Sequence, residues 1–172
     1  ATGASVNVLP VDYKKIFPAT GGLPLKQRAP ERQAYRLVEL QRWRDYLGIP
    51  LNLEPKYFPA DDRAAALMII AARQRGDDAL TFSHGLLRAV WAEERDIADK
   101  DTLIAIANEA GLDGNTLIRV SADTELAAVW ERDTETAIKR GVFGAPSYVV
   151  DGEIFWGQDR LDFLERKLRA LT

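Results

Sequence analysis

Two groups of polar side chains in this 172-residue sequence have the types and positions expected of an anion-binding protein. Lys26, Arg28 and Arg32 lie in a proline-flanked loop that runs into a helix start, where the helix dipole disfavours cations. This placement indicates a nearby anion, and a solvated basic surface is the alternative. Gln158 and Asp159 stand between a predicted strand and a predicted helix, where free backbone N–H groups attract a carboxylate. The simpler interpretation of Asp159 is a helix cap.

Three further side chains could contact a small molecule. His84 is the only histidine and has no partner motif for a triad or a metal site, so it is either a surface residue or a neutral donor in a substrate pocket. Tyr13 and Phe17 follow the first predicted strand, and they either form the wall of a pocket for an aromatic substrate or only pack their loop. Because the sequence has no cysteine, it contains no thiolate metal ligand or redox cysteine, and we predict no metal site.

The overall composition predicts one soluble globular domain. The 23 Lys and Arg residues nearly balance the 26 Asp and Glu residues, and the net charge of −3 gives no electrostatic reason to expect nucleic acid or an anionic membrane as a partner. The longest uninterrupted apolar run, 64–72, has nine residues, whereas a membrane-spanning helix needs about 20. We therefore predict that the protein binds neither nucleic acid nor a membrane.

Hydrophobic periodicity predicts a mostly helical chain. Partial alternation of apolar residues predicts a strand at 5–11, and the proline and glycine content of 14–29 predicts a loop. Spacings of three and four residues, together with capping aspartates and stop glycines, predict the central helices. These helices cover residues 30–47, 61–76, 79–90, 99–111 and 123–140, with a short turn near Asn115.

The C-terminal part of the sequence predicts a β-hairpin followed by a helix. The pair Asp151-Gly152 lies between two apolar runs, 148–150 and 153–156, and favours a type I′ turn. From Gln158 onward, leucines at steps of three and four form one stripe of an amphipathic helix. By spacing, the four tryptophans are predicted to be core residues: Trp43, Trp91, Trp130 and Trp156.

The segment GVFGAPSYVVDGEIFWGQDRLDFL at 141–164 closely resembles the C-terminal signature of 2-hydroxychromene-2-carboxylate isomerases. The resemblance extends through QRWRDYLGIP at 41–50 and LRAVWAEERDI at 87–97. These enzymes are grouped with kappa-class glutathione transferases and, more distantly, with DsbA-type proteins. The resemblance implies an α/β, thioredoxin-like fold with a helical insertion: residues 1–172 would form one domain, of which about 58–140 would be the insertion.

The resemblance also implies a strand and a helix before Ala1, because residues 1–4 look like a helix end at the glycine Gly3. In the family, the catalytic serine lies at the start of that helix. No catalytic residue is therefore expected within the sequence itself, and a serine, or a cysteine in a DsbA-type protein, is expected upstream of Ala1.

The same resemblance assigns glutathione as the cofactor and implies how it would be bound. Ala145–Pro146 would be a cis peptide, and the backbone of Ala145 would pair with the cysteinyl backbone of glutathione. Gln158 and Asp159 would hold the γ-glutamyl group. Arg32, with help from Arg28, would meet the glycyl carboxylate.

The implied function is a cytoplasmic glutathione-dependent isomerase that acts on an aromatic-derived 2-hydroxy or 2-oxo carboxylic acid during the catabolism of aromatic compounds, with a homodimer as its assembly. Three alternatives stay open. They are a kappa-like glutathione transferase or peroxidase, a DsbA-type oxidoreductase, and a glutathione-binding module without catalytic activity.

Overall fold

The computed structural model describes residues 2–171, and within that range it contains eight α-helices and one two-stranded antiparallel sheet. Two short 3-10 helices, Leu25–Gln27 and Gln158–Arg160, complete the regular structure of this range. The helices are α1 (Tyr13–Thr20), α2 (Pro30–Leu47), α3 (Arg63–Arg75), α4 (Ala79–Trp91), α5 (Lys100–Glu109), α6 (Gly114–Val120), α7 (Thr124–Lys139) and α8 (Leu161–Ala170), and the strands are β1 (Ser147–Val150) and β2 (Glu153–Trp156).

Helices α3 to α7 pack around one apolar core, and we call them the five-helix unit. Helix α3 is apolar on almost every side between Ala64 and Ala72 because it lies in the middle, in contact with α4, α6 and α7. The predicted turn near Asn115 is wrong, since α6 occupies that position and buries Leu117. The largest fully buried side chains of the unit are Phe82, Met68, Ile70, Leu103, Ile106, Leu117 and Thr134.

Aspartate side chains cap four helices of this unit. Asp78, Asp99, Asp113 and Asp123 each accept a hydrogen bond of 2.8–3.0 Å from a backbone N–H of the first turn. For the first three, the backbone N–H of a threonine three residues later, followed by its hydroxyl, lowers the pKa of the capping carboxyl. The helix starts predicted from Asp99 and Asp123 are confirmed.

The N-terminal segment differs from the prediction. Residues 5–11 form no strand, because no segment within the described range pairs its backbone with theirs. Side chains of the five-helix unit hold this segment instead. Arg73 Nη1 donates to the carbonyl of Val8 at 2.9 Å, and the N–H of Asp12 donates to Thr134 Oγ1 at 3.0 Å.

Residues 1–4 were predicted to be the end of a helix, and no helix is present there in the part of the chain that is described. Ala1 lies outside the described residues, and residues 2–4 are not helical. Gly3 nevertheless has a φ of +71°, the left-handed conformation that a glycine adopts after a helix.

The loop predicted at 14–29 is wrong in its first half, where α1 lies. The side chain of Asp12 caps α1 by accepting a hydrogen bond from the N–H of Lys14 at 2.8 Å. Ile16 is completely buried and packs in a small second core with Ala137 and Val142. The stabilisation from this tertiary packing outweighs the loss of the one backbone hydrogen bond that a proline inside the helix removes. The proline content of the sequence alone could not indicate this outcome.

The C-terminal hairpin is confirmed. Tyr148 pairs with Phe155 across the two strands, and the turn residues Asp151 and Gly152 have φ values of +51° and +80°, as a type I′ turn requires. Helix α8 packs on both strands and begins at Leu161, after the 3-10 turn rather than at Gln158 as predicted.

Only one of the tryptophans predicted to be core residues is fully buried. Trp130 lies in the core of the five-helix unit, and Trp43 and Trp91 are half-buried. The prediction is wrong for Trp156, which is 50% exposed on β2, where its ring lies 4.9 Å from the ring of Phe143. Spacing could not reveal this exposure, because β2 turns one side of the hairpin toward solvent.

Candidate functional site

The Ala145–Pro146 peptide bond, immediately before β1, is cis as predicted. Both residues are exposed to solvent. The carbonyl of Pro146 accepts a hydrogen bond from the N–H of Gly157 at 2.9 Å, which ties the start of β1 to the residue after β2. Among residues 2–171, the backbone N–H and C=O of Ala145 have no hydrogen-bond partner. Both groups are therefore available to a ligand that approaches in an extended conformation.

Two glycines allow the chain to close around this position. Gly157 has a φ of +105°, and a Cβ built there would lie 2.5 Å from Asp159 Oδ1. Gly144 lies directly against the indole of Trp156, where a Cβ would overlap the ring. A larger residue at either position would displace Asp159 or Trp156 from its present place.

Asp159 is exposed in the 3-10 helix that precedes α8. Its carboxylate accepts a hydrogen bond from Arg160 Nη1 at 2.7 Å, and it caps neither that 3-10 helix nor α8. The interpretation of Asp159 as a helix cap is therefore wrong. Within the described range, the backbone N–H groups of Gln158 and Asp159 have no acceptor, so amides and a carboxylate face solvent side by side.

The charge of Asp159 acts on one residue of helix α2. The Arg42 guanidinium and, to a smaller degree, the Tyr35 hydroxyl lower the pKa of Glu39, while the charge of Asp159 acts in the opposite direction. Asp159 therefore lies within electrostatic reach of α2. Arg32, in the first turn of the same helix, is exposed and has no acidic partner in the structure that is described.

Arg28 has a structural role in the loop before α2. Its Nε donates to the carbonyl of Leu23 at 2.9 Å, and its own carbonyl accepts a hydrogen bond from Gln33 Nε2 at 2.7 Å. The terminal nitrogens of its guanidinium have no partner among the residues described. Lys26 is exposed in the same loop. Lys26, Arg28 and Arg32 thus lie before and within the first turn of α2, and their grouping into one anion site stays a prediction.

One turn further along α2 lies a group that sequence reasoning missed, and we call it the Arg36 cluster (Arg36, Phe58 and Trp91). Arg36 Cζ lies 5.6 Å from the centroid of the Phe58 ring and 5.4 Å from that of Trp91. The two rings are 4.6 Å apart and tilted by 46°. Burial and, to a smaller degree, the charge of Arg28 lower the pKa of Arg36. The only available signal was the spacing of four residues between Arg32 and Arg36, which puts both on one face of a helix.

A carboxylate clamp holds the two rings of this cluster in place. Glu94, a non-glycine residue with a φ of +54°, accepts hydrogen bonds from Asn52 Nδ2 at 2.6 Å and from the N–H of Lys56 at 2.7 Å. The N–H of Asn52 also donates to the carbonyl of Trp91 at 2.7 Å. These bonds fix the loop that carries Phe58 against the end of α4.

The three residues predicted to line a substrate pocket lie on helices with different neighbours. The rings of Tyr13 and Phe17 are 5.1 Å apart on α1, which packs on α7, and burial raises the pKa of Tyr13 to about 12. His84 is exposed on α4, which packs on α3 and α5. The structure therefore does not join His84 to the two aromatic residues.

Outside the positions described so far, the surface carries one shallow pocket of note and no metal-ligand cluster within the described residues. A shallow open pocket of about 390 Å³ lies along β2 and the start of α8, lined by Glu153, Ile154, Phe155, Trp156, Arg160 and Phe163. Between residues 2 and 171 there is no group of three or more His, Asp or Glu side chains that could hold a metal ion. In the same range, no helix has the length and apolar character needed to cross a bilayer.

Comparison with known proteins identifies the family. The sequence model of the DSBA-like thioredoxin domain matches residues 2–169. A 2-hydroxychromene-2-carboxylate isomerase of Sphingobium xenophagum is 31% identical over 169 residues, which cover 97% of this chain and 84% of that protein. The glutathione S-transferase kappa 1 of Homo sapiens is 27% identical, over 81% of this chain and 67% of that protein.

A solved structure supports the same assignment. A 2-hydroxychromene-2-carboxylate isomerase structure superposes with a TM-score of 0.77 at 25% identity, over 95% of this chain and 79% of that one. The predicted α/β thioredoxin-like fold of the DsbA type is therefore confirmed, while the limits of the insertion at 58–140 stay a prediction. Because both the domain match and the Sphingobium relative span nearly the whole chain, this protein belongs to the DSBA-like thioredoxin domain family and to the 2-hydroxychromene-2-carboxylate isomerase family.

Proposed function

We propose that the protein is a glutathione-dependent isomerase of an aromatic-derived 2-hydroxy or 2-oxo carboxylic acid. The observation that carries the proposal is the unpaired backbone of Ala145 beside the cis Pro146, in a chain whose relatives are named 2-hydroxychromene-2-carboxylate isomerases over nearly its full length. A cytoplasmic location and a homodimer, also implied by the family, remain predictions.

The residues on the surface fit glutathione. The free N–H and C=O of Ala145 match the backbone of a cysteinyl residue, which has one donor and one acceptor to satisfy. The exposed carboxylate of Asp159 would take the γ-glutamyl ammonium, and the free amide of Gln158 would take the adjoining carboxylate. Arg32, exposed and without an acidic partner in the described chain, would meet the glycyl carboxylate, with Arg28 beside it.

When bound, glutathione would supply a nucleophilic thiol for reversible addition to the conjugated substrate. The residues of this chain orient the tripeptide and neutralise its charges. Asp159 opposes the ammonium, while the cations before and within the first turn of α2 oppose the glycyl carboxylate. The neighbouring Arg160 competes for Asp159, but that pair is exposed and contributes little.

Binding of glutathione is tested by calorimetric titration of the protein and of two variants, Asp159→Asn and Arg32→Met. A charge-assisted hydrogen bond contributes about 1.5–3 kcal/mol, so each variant is expected to bind glutathione roughly 10- to 150-fold more weakly with an unchanged thermal melt. Asp162→Asn, an exposed acid in the first turn of α8, and Arg44→Met, at the far end of α2, are the matched controls. Unaltered affinity in both site variants would remove the assignment of these residues.

A kappa-class glutathione transferase is the second candidate, because members of that class are 27–28% identical to this chain. Two assays separate the candidates: the isomerisation of 2-hydroxychromene-2-carboxylate with and without glutathione, and the conjugation of glutathione to 1-chloro-2,4-dinitrobenzene. We expect glutathione-dependent isomerisation and no conjugation. Conjugation without isomerisation would favour the transferase. Binding of glutathione with neither activity, in a chain that includes the serine expected before Ala1, would indicate a non-catalytic module.

A further inference from the structure

The guanidinium of Arg36 is half-buried, yet its hydrogen-bonding capacity is unused within residues 2–171. It lies over the rings of Phe58 and Trp91, and it forms no hydrogen bond or ion pair with any described residue. A cation over an aromatic face interacts with the ring quadrupole and does not use its N–H groups. Five donors are therefore left for a partner from outside this part of the chain.

The charges around Arg36 favour an anion as that partner. Arg28 is close enough for its charge to act on Arg36, and Arg32 lies one helical turn away on the same face of α2. Three like charges repel one another, and none of them has an acidic partner within the described residues. Binding of a carboxylate at Arg36 would relieve this repulsion and would satisfy donors in the fork geometry that carboxylates match.

The aromatic rings favour an aryl group attached to that carboxylate. Phe58 is 40% exposed, so one part of its ring is free to contact a ligand while another part contacts Arg36. Offset or edge contacts between aromatic rings add affinity beyond the apolar area that they bury. The clamp formed by Glu94 with Asn52 and Lys56 holds the ring pair rigid before any ligand arrives.

We propose that the Arg36 cluster is the binding site for the aromatic carboxylic acid: Arg36 binds the carboxylate, Phe58 and Trp91 contact the aryl ring, and Glu94 acts as a positioning residue. This inference rests on the proposed function for its substrate class. It adds the residues that select an aromatic acid, which neither the sequence pattern nor the glutathione contacts specify. Arg32 and Arg36 would then serve two different carboxylates one helical turn apart.

The test is a calorimetric titration of the protein with 2-hydroxybenzoate and, separately, with its uncharged amide, 2-hydroxybenzamide. Arg36→Met keeps an apolar stem on the rings and removes the charge, and it is expected to weaken 2-hydroxybenzoate binding roughly 10- to 100-fold while binding of the amide is unchanged. Arg36→Lys keeps the charge but lacks the planar guanidinium, so its affinity for 2-hydroxybenzoate is expected to lie between the affinities of the parent and of Arg36→Met. It replaces Arg36→Met in the test if the methionine variant does not fold. Glutathione affinity should stay within about threefold in both variants.

A second pair of variants tests the clamp. Glu94→Gln replaces one acceptor oxygen with a donor. It is expected to weaken binding of both the acid and the amide about threefold to tenfold, because the two aromatic rings are then held less firmly while the charge of Arg36 is unchanged. Glu54→Gln, an exposed acid in the same loop, is the matched control and should change neither. Loss of acid binding alone in Glu94→Gln would contradict a positioning role.

Each remaining outcome decides one proposal. Unchanged 2-hydroxybenzoate affinity in Arg36→Met overturns the inference, as does a parent protein that binds glutathione but not the acid. An equal loss of glutathione and acid binding in Arg36→Met would place Arg36 in the glutathione site and overturn the inference alone. Acid binding that depends on Arg36, in a protein that does not bind glutathione, would support the aryl-carboxylate site and overturn the proposed function.

Discussion

The five-helix unit differs from helices α2 and α8 in how far its side chains are buried and in whether its helices start at a side-chain cap. In the unit, apolar side chains from all five helices meet in one core, and four of the helices start at a capping aspartate. Helices α2 and α8 have no fully buried residue and no side-chain cap, and the small second core contains only Ile16, Ala137 and Val142 as buried members among the described residues.

This difference indicates that folding stability and ligand recognition depend on different regions of the molecule. The proposed ligand contacts at Ala145, Asp159 and Arg32 are exposed, and they keep donors or acceptors that no described residue uses. A region that satisfied all of its own polar groups would have nothing to offer a ligand. We infer that the five-helix unit supplies most of the folding free energy and so lets the surrounding elements keep unsatisfied groups for binding.

The largest effect is expected from a matched pair of phenylalanines, one in each region. Phe82 is 0% exposed in the core of the unit, and Phe163 is 55% exposed on α8. Phe82→Ala should lower the free energy of unfolding by about 3–5 kcal/mol because it removes buried apolar surface and leaves a cavity, whereas Phe163→Ala should cost roughly 0.5 kcal/mol. Urea unfolding followed by circular dichroism measures both. Equal losses would break the comparison.

A smaller effect is expected where the two regions meet. Arg73 Nη2 pairs with Asp133 Oδ2 at 2.7 Å, with side chains only 19% and 18% exposed, and the same guanidinium holds the carbonyl of Val8. Asp133→Asn should destabilise by about 1–2 kcal/mol, because a charge-assisted hydrogen bond is lost in a partly screened position. On the same helix, Glu135→Gln removes an exposed pair with Lys139 and should cost about 0.3–0.5 kcal/mol in the same unfolding experiment. A larger cost for Glu135→Gln would contradict the role of burial.

The smallest effect concerns acid pH. Asp78, Asp99 and Asp113 have lowered pKa values when folded, so their caps contribute fully above the unfolded pKa of about 3.9 and are lost as the pH falls through the folded values. Replacing all three with asparagine keeps an acceptor oxygen at each cap but removes the titration. Between pH 5 and pH 3, we expect the melting temperature of the parent to fall further than that of the triple variant. Parallel curves for parent and triple variant would refute the role of the caps.

Local chemistry made several elements predictable. The Asp99 cap, the stop of α2 at Gly48 and the Asp151-Gly152 turn each depend on residues within a few positions, and all three are confirmed. Even there, one detail differs: Asp62 holds the N-cap position of α3 without capping it, while the side chain of Asp61, where the helix was predicted to start, accepts a hydrogen bond from the N–H of Arg63 at 3.2 Å.

Tertiary contacts explain what the sequence could not predict. Helix α1 forms because Ile16 is buried against α7, more than 100 residues later in the chain. The Arg36 cluster joins residues from α2, the following loop and the end of α4, and no periodicity connects them. The cis Ala145–Pro146 bond was predictable because a complete family motif, and not the dipeptide alone, indicated it.

The hydrogen bond from the Asp12 amide to Thr134 has a consequence for hydrogen exchange. Thr134 is buried and its hydroxyl also donates to the carbonyl of Trp130 at 2.9 Å, so the Asp12 N–H is attached to the interior of α7 although Asp12 itself precedes α1. Its exchange with solvent deuterium requires Thr134 to release it, which makes this one amide a reporter of how the N-terminal segment opens. If it exchanges at the rate of the α7 amides, the segment opens together with the helix; if it exchanges faster, the segment detaches while the helix stays folded.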